Sequence, residues 1–287
     1  MHEQGWLIYS KEDAARNMSY IYWMIEEAGQ MDMKLSLLFR EDFSLGHLSS
    51  KLELFHQKKS VLLPSFAIVR TIDPFFTRQL ELIGVRCFNS AFVSDLCNNK
   101  AKTHQFMAQL GIPMADTIYG NRDHFRREDV LLQYPYIAKE VSGRGGKQVY
   151  LIENEKEEHE LQGSPGKWIL QKPAVYGKDV RVFIVGRKII AAVLRESETD
   201  FKANYTLGGS ASLYELSAEQ KSLVEKIINV VDFGMAGVDF VFSEEGSFLL
   251  NEIEDVVGSR TLSALTDINI VREYLLHIKE ELGDQVY

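Results

Sequence analysis

Residues 236–255, AGVDFVFSEEGSFLLNEIED, constrain this chain more than any other stretch. Two apolar runs flank Ser243-Glu244-Glu245-Gly246, a short polar linker with a glycine, and together they predict a β-hairpin. Side chains alternate along a strand, so Val238, Phe240 and Phe242 share one face and Asp239 takes the other. The same rule groups Phe248, Leu250, Glu252 and Glu254 in the second strand. Pairing Phe242 with Ser247 sets Asp239 opposite Leu250, with Glu252 a diagonal neighbour roughly 7–8 Å away. Three carboxylates then converge on one face of a strand pair whose other positions are core-like. Acids that cannot separate need a cation, and an all-oxygen set suits Mg²⁺ or Mn²⁺ rather than zinc. The competing account leaves Glu252 and Glu254 in solvent and gives Asp239 a lysine partner. Spacing alone does not choose between the two.

At 287 residues the chain is long enough for two or three lobes around a sizeable core. Its formal charge of −9 argues against sequence-independent binding to a polyanion, so no nucleic acid is expected as a partner. The two cysteines, Cys87 and Cys97, show neither a CxxC nor a metal-ligand spacing, and read as reduced thiols of a cytoplasmic protein. The first residues lack the basic-then-apolar order of a secretory signal. No apolar run approaches the ~20 residues of a spanning helix, so no membrane is expected as a partner.

Residues 1–97 alternate strand and helix patterns. Gly5 to Tyr9, Lys34 to Phe39 and Ser65 to Val69 read as strands, and Cys87 to Asn89 closes the region. Ala14 to Ala28 and Pro74 to Ile83 read as helices, each stopping at a glycine. The order predicts a mostly parallel sheet with covered faces. A G-x-G-x-x-G fingerprint is absent, so this part is a supporting wall, with Arg70 and Asp73 as candidate substrate contacts on loops.

Past residue 97 the polar chemistry becomes denser. Asn98 to Leu110 predicts a helix with Lys100 and Lys102 in its first turn, where the helix dipole disfavours cations; the mismatch points to an anion facing at least one of them. Tyr136 to Lys139 and Val149 to Ile152 are strands around Ser142-Gly143-Arg144-Gly145-Gly146-Lys147. Glycines let backbone amides turn toward an anion, and the flanking Lys139 and Lys147 suit phosphate. The Walker A spacing is missing. Trp168 to Gln171 forms a strand that Lys172-Pro173 breaks, freeing backbone groups for a flat heterocycle such as adenine. Asp179 to Val185 alternates, with Asp179 and Arg181 on one face, and returns through Ile189 to Leu194, ending at Arg195. Residues 201–210 are polar and read as a loop over a ligand. Ser217 to Val231 and Asn269 to Leu282 are amphipathic helices, the first capped by Ser217.

In this order the parts resemble the ATP-grasp superfamily, and within it the RimK-like glutamate ligases. The run DVRVFIVGRKIIAAVLRES…DFKANYTLGGSAS and the hairpin G-V-D…N-E-I-E carry the resemblance most specifically. It covers about residues 98–282, and residues 1–97 are similar in place and pattern to the family's preceding α/β domain. The implied fold class is α/β and α+β: two ATP-grasp lobes enclosing ATP, 98–170 with the glycine loop and 171–287 with the metal site, after a Rossmann-like α/β domain at 1–97. Carried over by position, Lys100 and Lys139 bind phosphates beneath Gly143, Gly145 and Gly146. Gln171, Lys172 and Pro173 hold adenine, Asp179 touches the ribose, and Lys202 and Asn204 contact phosphates beside the metals. Asp239, Glu252 and Glu254 hold two Mg²⁺ ions. Arg181 and Arg195 stabilise an acyl-phosphate or bind a substrate carboxylate.

Two departures matter. Glu254 stands where the family's Glu-x-Asn motif has asparagine, and Asp255 to Arg260 replaces a small-residue and proline-glycine turn beside the acceptor site. Arg260 is therefore a candidate for recognising a substrate carboxylate, and glutamate cannot be inherited as the substrate. The resemblance implies an ATP-dependent ligase joining a small carboxylic acid or peptide to an amine or amino acid through an acyl-phosphate. A phosphotransferase acting on a non-carboxylate acceptor and a non-catalytic nucleotide-binding module are the alternatives. Assembly with further copies of the chain is left open.

Overall fold

The computed structural model describes residues 3–121, 131–144, 148–162, 166–197 and 209–283. The chain begins with β1 (Glu3–Tyr9), α1 (Lys11–Gln30) and β2 (Met33–Phe39). A short meander follows: β3 (Phe43–Leu48), β4 (Lys51–His56) and β5 (Lys59–Ser60). Next come β6 (Phe66–Val69), α2 (Pro74–Leu82), β7 (Arg86–Phe88), α3 (Ala91–Cys97) and α4 (Lys100–Gln109). β1, β2, β6 and β7 form the expected all-parallel sheet in the order β2-β1-β6-β7. Residues Trp6 to Tyr9 are buried because both faces of the sheet are covered. Ser10 caps α1 by accepting from the Asp13 amide, and Ala14, Ile21, Met24 and Ala28 at helical spacing turn inward.

Sequence patterning does not find the meander. Its two-residue turns at Ser49-Ser50 and Gln57-Lys58 hold all four residues at positive φ, a conformation usually marked by Asn-Gly or Asp-Gly. Here serine, glutamine and lysine occupy those positions and leave no turn signature.

The second half opens with β8 (Thr117–Asn121), β9 (Tyr136–Glu140), β10 (Val149–Ile152), α5 (Glu155–Gln162) and β11 (Lys167–Gln171). These strands form an antiparallel sheet in the order β10-β9-β11-β8. It continues with β12 (Lys178–Val185), β13 (Lys188–Glu196), β14 (Ser210–Leu213), α6 (Ala218–Ile228), β15 (Met235–Phe242), β16 (Phe248–Glu254), α7 (Arg260–Leu265) and α8 (Ile270–Gly283). The five strands run β14-β13-β12-β15-β16. Ser210, expected in a loop, begins β14.

Core packing ties the first and third sheets together. One cluster joins Leu7, Met24 and Ile68 to Phe183, Val193 and Tyr274, whereas Tyr136, Trp168 and Leu170 build a separate core for the β8–β11 sheet. The Asn89 side chain, fully used, donates to the carbonyls of Met235 and Asp255 and accepts from the amides of Gly234 and Met235. Cys87 and Cys97 are both buried free thiols.

The hairpin forms, but not in the expected register. Phe242 pairs with Phe248, not with Ser247, and a bulge between Asp239 and Phe240 leaves Asn251 as the extra residue. Asp239 therefore faces Glu252 directly, and Leu250 faces Phe240. The bulge also reverses the phase of β16. Phe248 and Leu250 enter the core, while Glu252 and Glu254, expected on that same face, turn the other way.

Candidate active site

Asp239 lies only 1% exposed on β15, and its carboxylate oxygens come within 4.8 Å of oxygens from Glu252 and Glu254. Arg181, its partner across the β12–β15 pair, donates from Nε to Oδ1 at 2.7 Å and from Nη2 to Oδ2 at 2.6 Å. The same Nη2 reaches Glu254 Oε1 at 2.7 Å. Arg195, opposite Asp179 on β13, donates to both Asp179 oxygens at 2.6 and 2.8 Å and to Asp239 Oδ2 at 2.8 Å. Arg181 has room because Gly237 lies beneath it. A Cβ there would come within 2.7 Å of Val257 and 3.3 Å of the Arg181 side chain.

Burial raises the Asp239 carboxyl, but the Arg181 and Arg195 guanidiniums outweigh it and hold the group down at about 2. Burial pushes Glu254 up; Arg181 pulls it back, and Asp239 and Glu252 push it further. Three mutually repelling, oxygen-only ligands at this separation fit a hard divalent cation, which would share the neutralising role that Arg181 fills.

Lys100 and Lys139 occupy the other side of the cleft. Lys100, in the first turn of α4, donates to the Gly143 carbonyl at 2.5 Å and lies 3.3 Å from Glu252 Oε2. Its unfavourable position on the helix is thus answered by an acid. Lys102 faces outward to both oxygens of Asp95. Lys139 donates to Asn251 Oδ1 at 2.5 Å, and burial, assisted by Lys100, pushes its ammonium down to about 8 against the pull of Glu252.

The bulge residue Asn251 is thus a site residue that strict alternation had assigned to the opposite face. Its carbonyl meets His104 Nε2 at 3.0 Å. His104 is fully buried, and burial lowers its pKa to about 4, so the ring is neutral and donates from Nε2. Nothing in its helical pattern singled it out.

The remaining expected residues divide. The Gly143 amide bonds to the Glu140 carbonyl, so it closes the turn instead of pointing at an anion. The Lys172 amide, expected to be free for a heterocycle, donates to the Asp116 carbonyl at 2.9 Å because the chain stays in register with the segment before β8. Gln171 and Lys172 line the cleft, and Pro173 does not. Arg260 lines neither cavity described below; it is exposed and approaches Asn17 Oδ1 at 3.4 Å. Gly145, Gly146, Lys202 and Asn204 lie outside the described residues.

Two cavities meet at this centre. The first lies between the β8–β11 sheet and the five-stranded sheet. Its lining combines apolar Ile137, Val149 and Leu250 with Lys139, Asp179 and the three acids. The second, of about 290 Å³, shares Lys100, Gly143, Glu252 and Glu254 and extends to Tyr9 and Arg70 of the N-terminal sheet. The arrangement can hold a flat ring and a polyanion in one cavity and present the polyanion's end to a molecule in the other.

The RimK-like ATP-grasp domain matches residues 97–278. Beta-citrylglutamate synthase B of Danio rerio is 31% identical over 216 residues, covering 68% of this chain and 53% of that protein. N-acetylaspartylglutamate synthase A of Homo sapiens is 30% identical over 234 residues, covering 74% and 58%. The chain thus spans about half the length of these curated relatives. A crystal structure of a RimK domain ATP-grasp protein from Sphaerobacter thermophilus superposes with a TM-score of 0.72 at 17% identity, covering 96% of this chain and 98% of that one.

Proposed function

The chain belongs to the RimK-like ATP-grasp family, and we propose that it is an ATP-dependent carboxylate–amine ligase that forms an amide or peptide bond through an acyl-phosphate. The observation that carries this reading is the Asp239, Glu252 and Glu254 trio, set where a cleft with two lysines meets a second cavity. In this reading residues 1–97 are the preceding α/β domain, 98–170 the central lobe and 171–287 the metal-bearing lobe of a cytoplasmic enzyme.

Asp239, Glu252 and Glu254 hold Mg²⁺ or Mn²⁺, as two ions. Bound metal supplies positive charge to the phosphate oxygens as negative charge builds on the transferred group. Lys139 and Lys100 bind the same phosphates, and Gln171 and Lys172 flank the base. The reacting acid enters from the second cavity. One of its carboxylate oxygens attacks the γ-phosphorus, the bond to the leaving ADP oxygen breaks, and a mixed acyl-phosphate results. An amine then forms the C–N bond, inorganic phosphate leaves with the former C–O electron pair, and the amine loses a proton. Arg181 and Arg195 keep Asp239 ionised and fixed throughout, so the work is positioning and electrostatics rather than side-chain proton transfer.

The test is ADP release across a panel of acids paired with amines, amino acids and peptides, with hydroxylamine added to trap acyl-phosphate. Lys139→Ala and Glu252→Gln should each abolish release while the protein stays folded. Full turnover in both variants sinks the assignment, and ADP release without hydroxamate moves it to a phosphotransferase. A second reading, nucleotide binding without turnover, draws on Arg181 already neutralising Asp239 and Glu254. Nucleotide affinity with no ADP release on the whole panel would favour it.

A further inference from the structure

The second cavity contains a guanidinium that forms no ion pair among the described residues. Arg70 follows β6, extends the sheet through its amide to the Ile8 carbonyl at 2.7 Å, and is 7% exposed. Its Nη2 donates to the Val257 carbonyl at 2.9 Å, but Nε is buried without a hydrogen-bond partner. The Tyr9 and Tyr20 hydroxyls are likewise buried without one. The Tyr20 ring centre lies 5.3 Å from the Arg70 guanidinium carbon. Arg70 makes no ion pair with any described acid, although Arg181 and Arg195 together engage three. A buried guanidinium without a counter-charge is costly to keep unless something else supplies the charge.

Of the acids on the same wall, Asp255 feels the Arg70 charge without pairing to it, and Glu252 and Glu254 pair with Lys100 and Arg181. Asp255 Oδ1 accepts from Asn98 Nδ2 at 2.7 Å, and Asp13 Oδ2 accepts from Ser10 Oγ at 2.8 Å. Lys100 and Arg144 add positive charge to the lining.

We propose that Arg70, with the Tyr9 hydroxyl, is the seat for a second, non-reacting carboxylate of the substrate. The inference rests on the ligase reading and adds the substrate class. A planar guanidinium edge beside a hydroxyl donor suits a two-oxygen planar anion. Glu252 and Glu254 border the same cavity, so a small acid or amino acid can place its reacting group there while its spare carboxylate meets Arg70. That carboxylate belongs either to a dicarboxylic acyl donor or to an amino-acid acceptor.

Calorimetric titration of the full chain with ADP and Mg²⁺ present tests the seat without turnover. Glutarate against its monoamide reads the donor, and L-glutamate against its diamide reads the acceptor. The carboxylate form should bind roughly tenfold or more tightly in the wild type. Arg70→Gln should erase that preference and leave the amide and ADP affinities unchanged, and Arg70→Lys should keep part of it. Should Arg70→Gln unfold, Tyr9→Phe decides, expected to reduce the preference several-fold. No preference in the wild type, or an equal one in the variants, overturns the seat. A preference for carboxylate with no ADP release from any acid–amine pair overturns the ligase reading and keeps the seat. Release from pairs lacking a spare carboxylate, with the same KM in wild type and Arg70→Gln, does the reverse.

Discussion

Arg181 and Arg70 are both largely buried guanidiniums on the walls of adjoining cavities, and their surroundings are opposite. Arg181 bonds two carboxylates, one of them shared with Arg195, in a closed lattice across β12, β13 and β15. Arg70 has a carbonyl, two tyrosines and an unused Nε. The difference separates charge that builds a site from charge that waits for a ligand. Neutralised charge fixes geometry before anything binds. Unneutralised charge holds a place open, and its cost is recovered on binding.

The strongest way to break this comparison is to remove the matched charge. Arg181→Met takes one of two guanidiniums from Asp239 and the one that bonds Glu254, and should lower unfolding free energy by about 3 kcal/mol, read by urea denaturation. Adding Asp239→Asn should restore part of it. A loss below ~1 kcal/mol, typical of a solvated surface pair, would mean that the lattice is not structural.

A second test uses His104, which is buried neutral. Its pKa falls from 6.5 in the unfolded chain to about 4 in the fold. The unfolded state therefore binds the proton more tightly, so this contribution is complete above 6.5 and is lost as the pH drops toward 4. The loss is on the order of 3 kcal/mol at most. Denaturation midpoints at neutral and acid pH should converge for His104→Gln relative to the wild type, and parallel curves would remove His104 from the account.

The smallest effect sharpens the comparison on the ligand side. Lys139 loses its proton at about 8 without ligand, so nucleotide affinity should fall roughly fivefold between about pH 7.5 and 9. Lys139→Arg, which stays charged, should flatten that curve in a fluorescence titration. An unchanged slope would place Lys139 away from the phosphates.

Much of this was legible from the sequence because periodicity and residue type agree there. The N-terminal alternation gave the parallel sheet, and the apolar–acid–apolar hairpin gave the three acids. Where the physics is non-local, the reading stopped short. The acids come together through a bulge at Asn251 that alternation does not encode, and the residue that alternation turned away became the partner of Lys139. Arg181 and Arg195 carried the right chemistry, but the distances assign them to Asp239, Asp179 and Glu254, which only the register of three strands could reveal. His104 looked like any helix residue because its partner is 147 positions away. Arg70 appeared only as a loop contact, since the emptiness around its Nε is a property of packing.

The extra residue in β16 also bears on how such a chain can change over generations. Phe248 and Ile253 answer to the core, Glu252 and Glu254 to the cleft, and Leu250 to both. Letters at the core-only positions can drift among apolar residues without touching the cleft. The extra residue cannot drift in the same way: closing the bulge at unchanged length would restore simple alternation and swing Glu252 and Glu254 to the face of Val238 and Phe240, and deleting Asn251 would keep the acids in place but take away the partner of Lys139. Among descendants of one ancestor this strand should therefore vary in its letters and keep its extra residue.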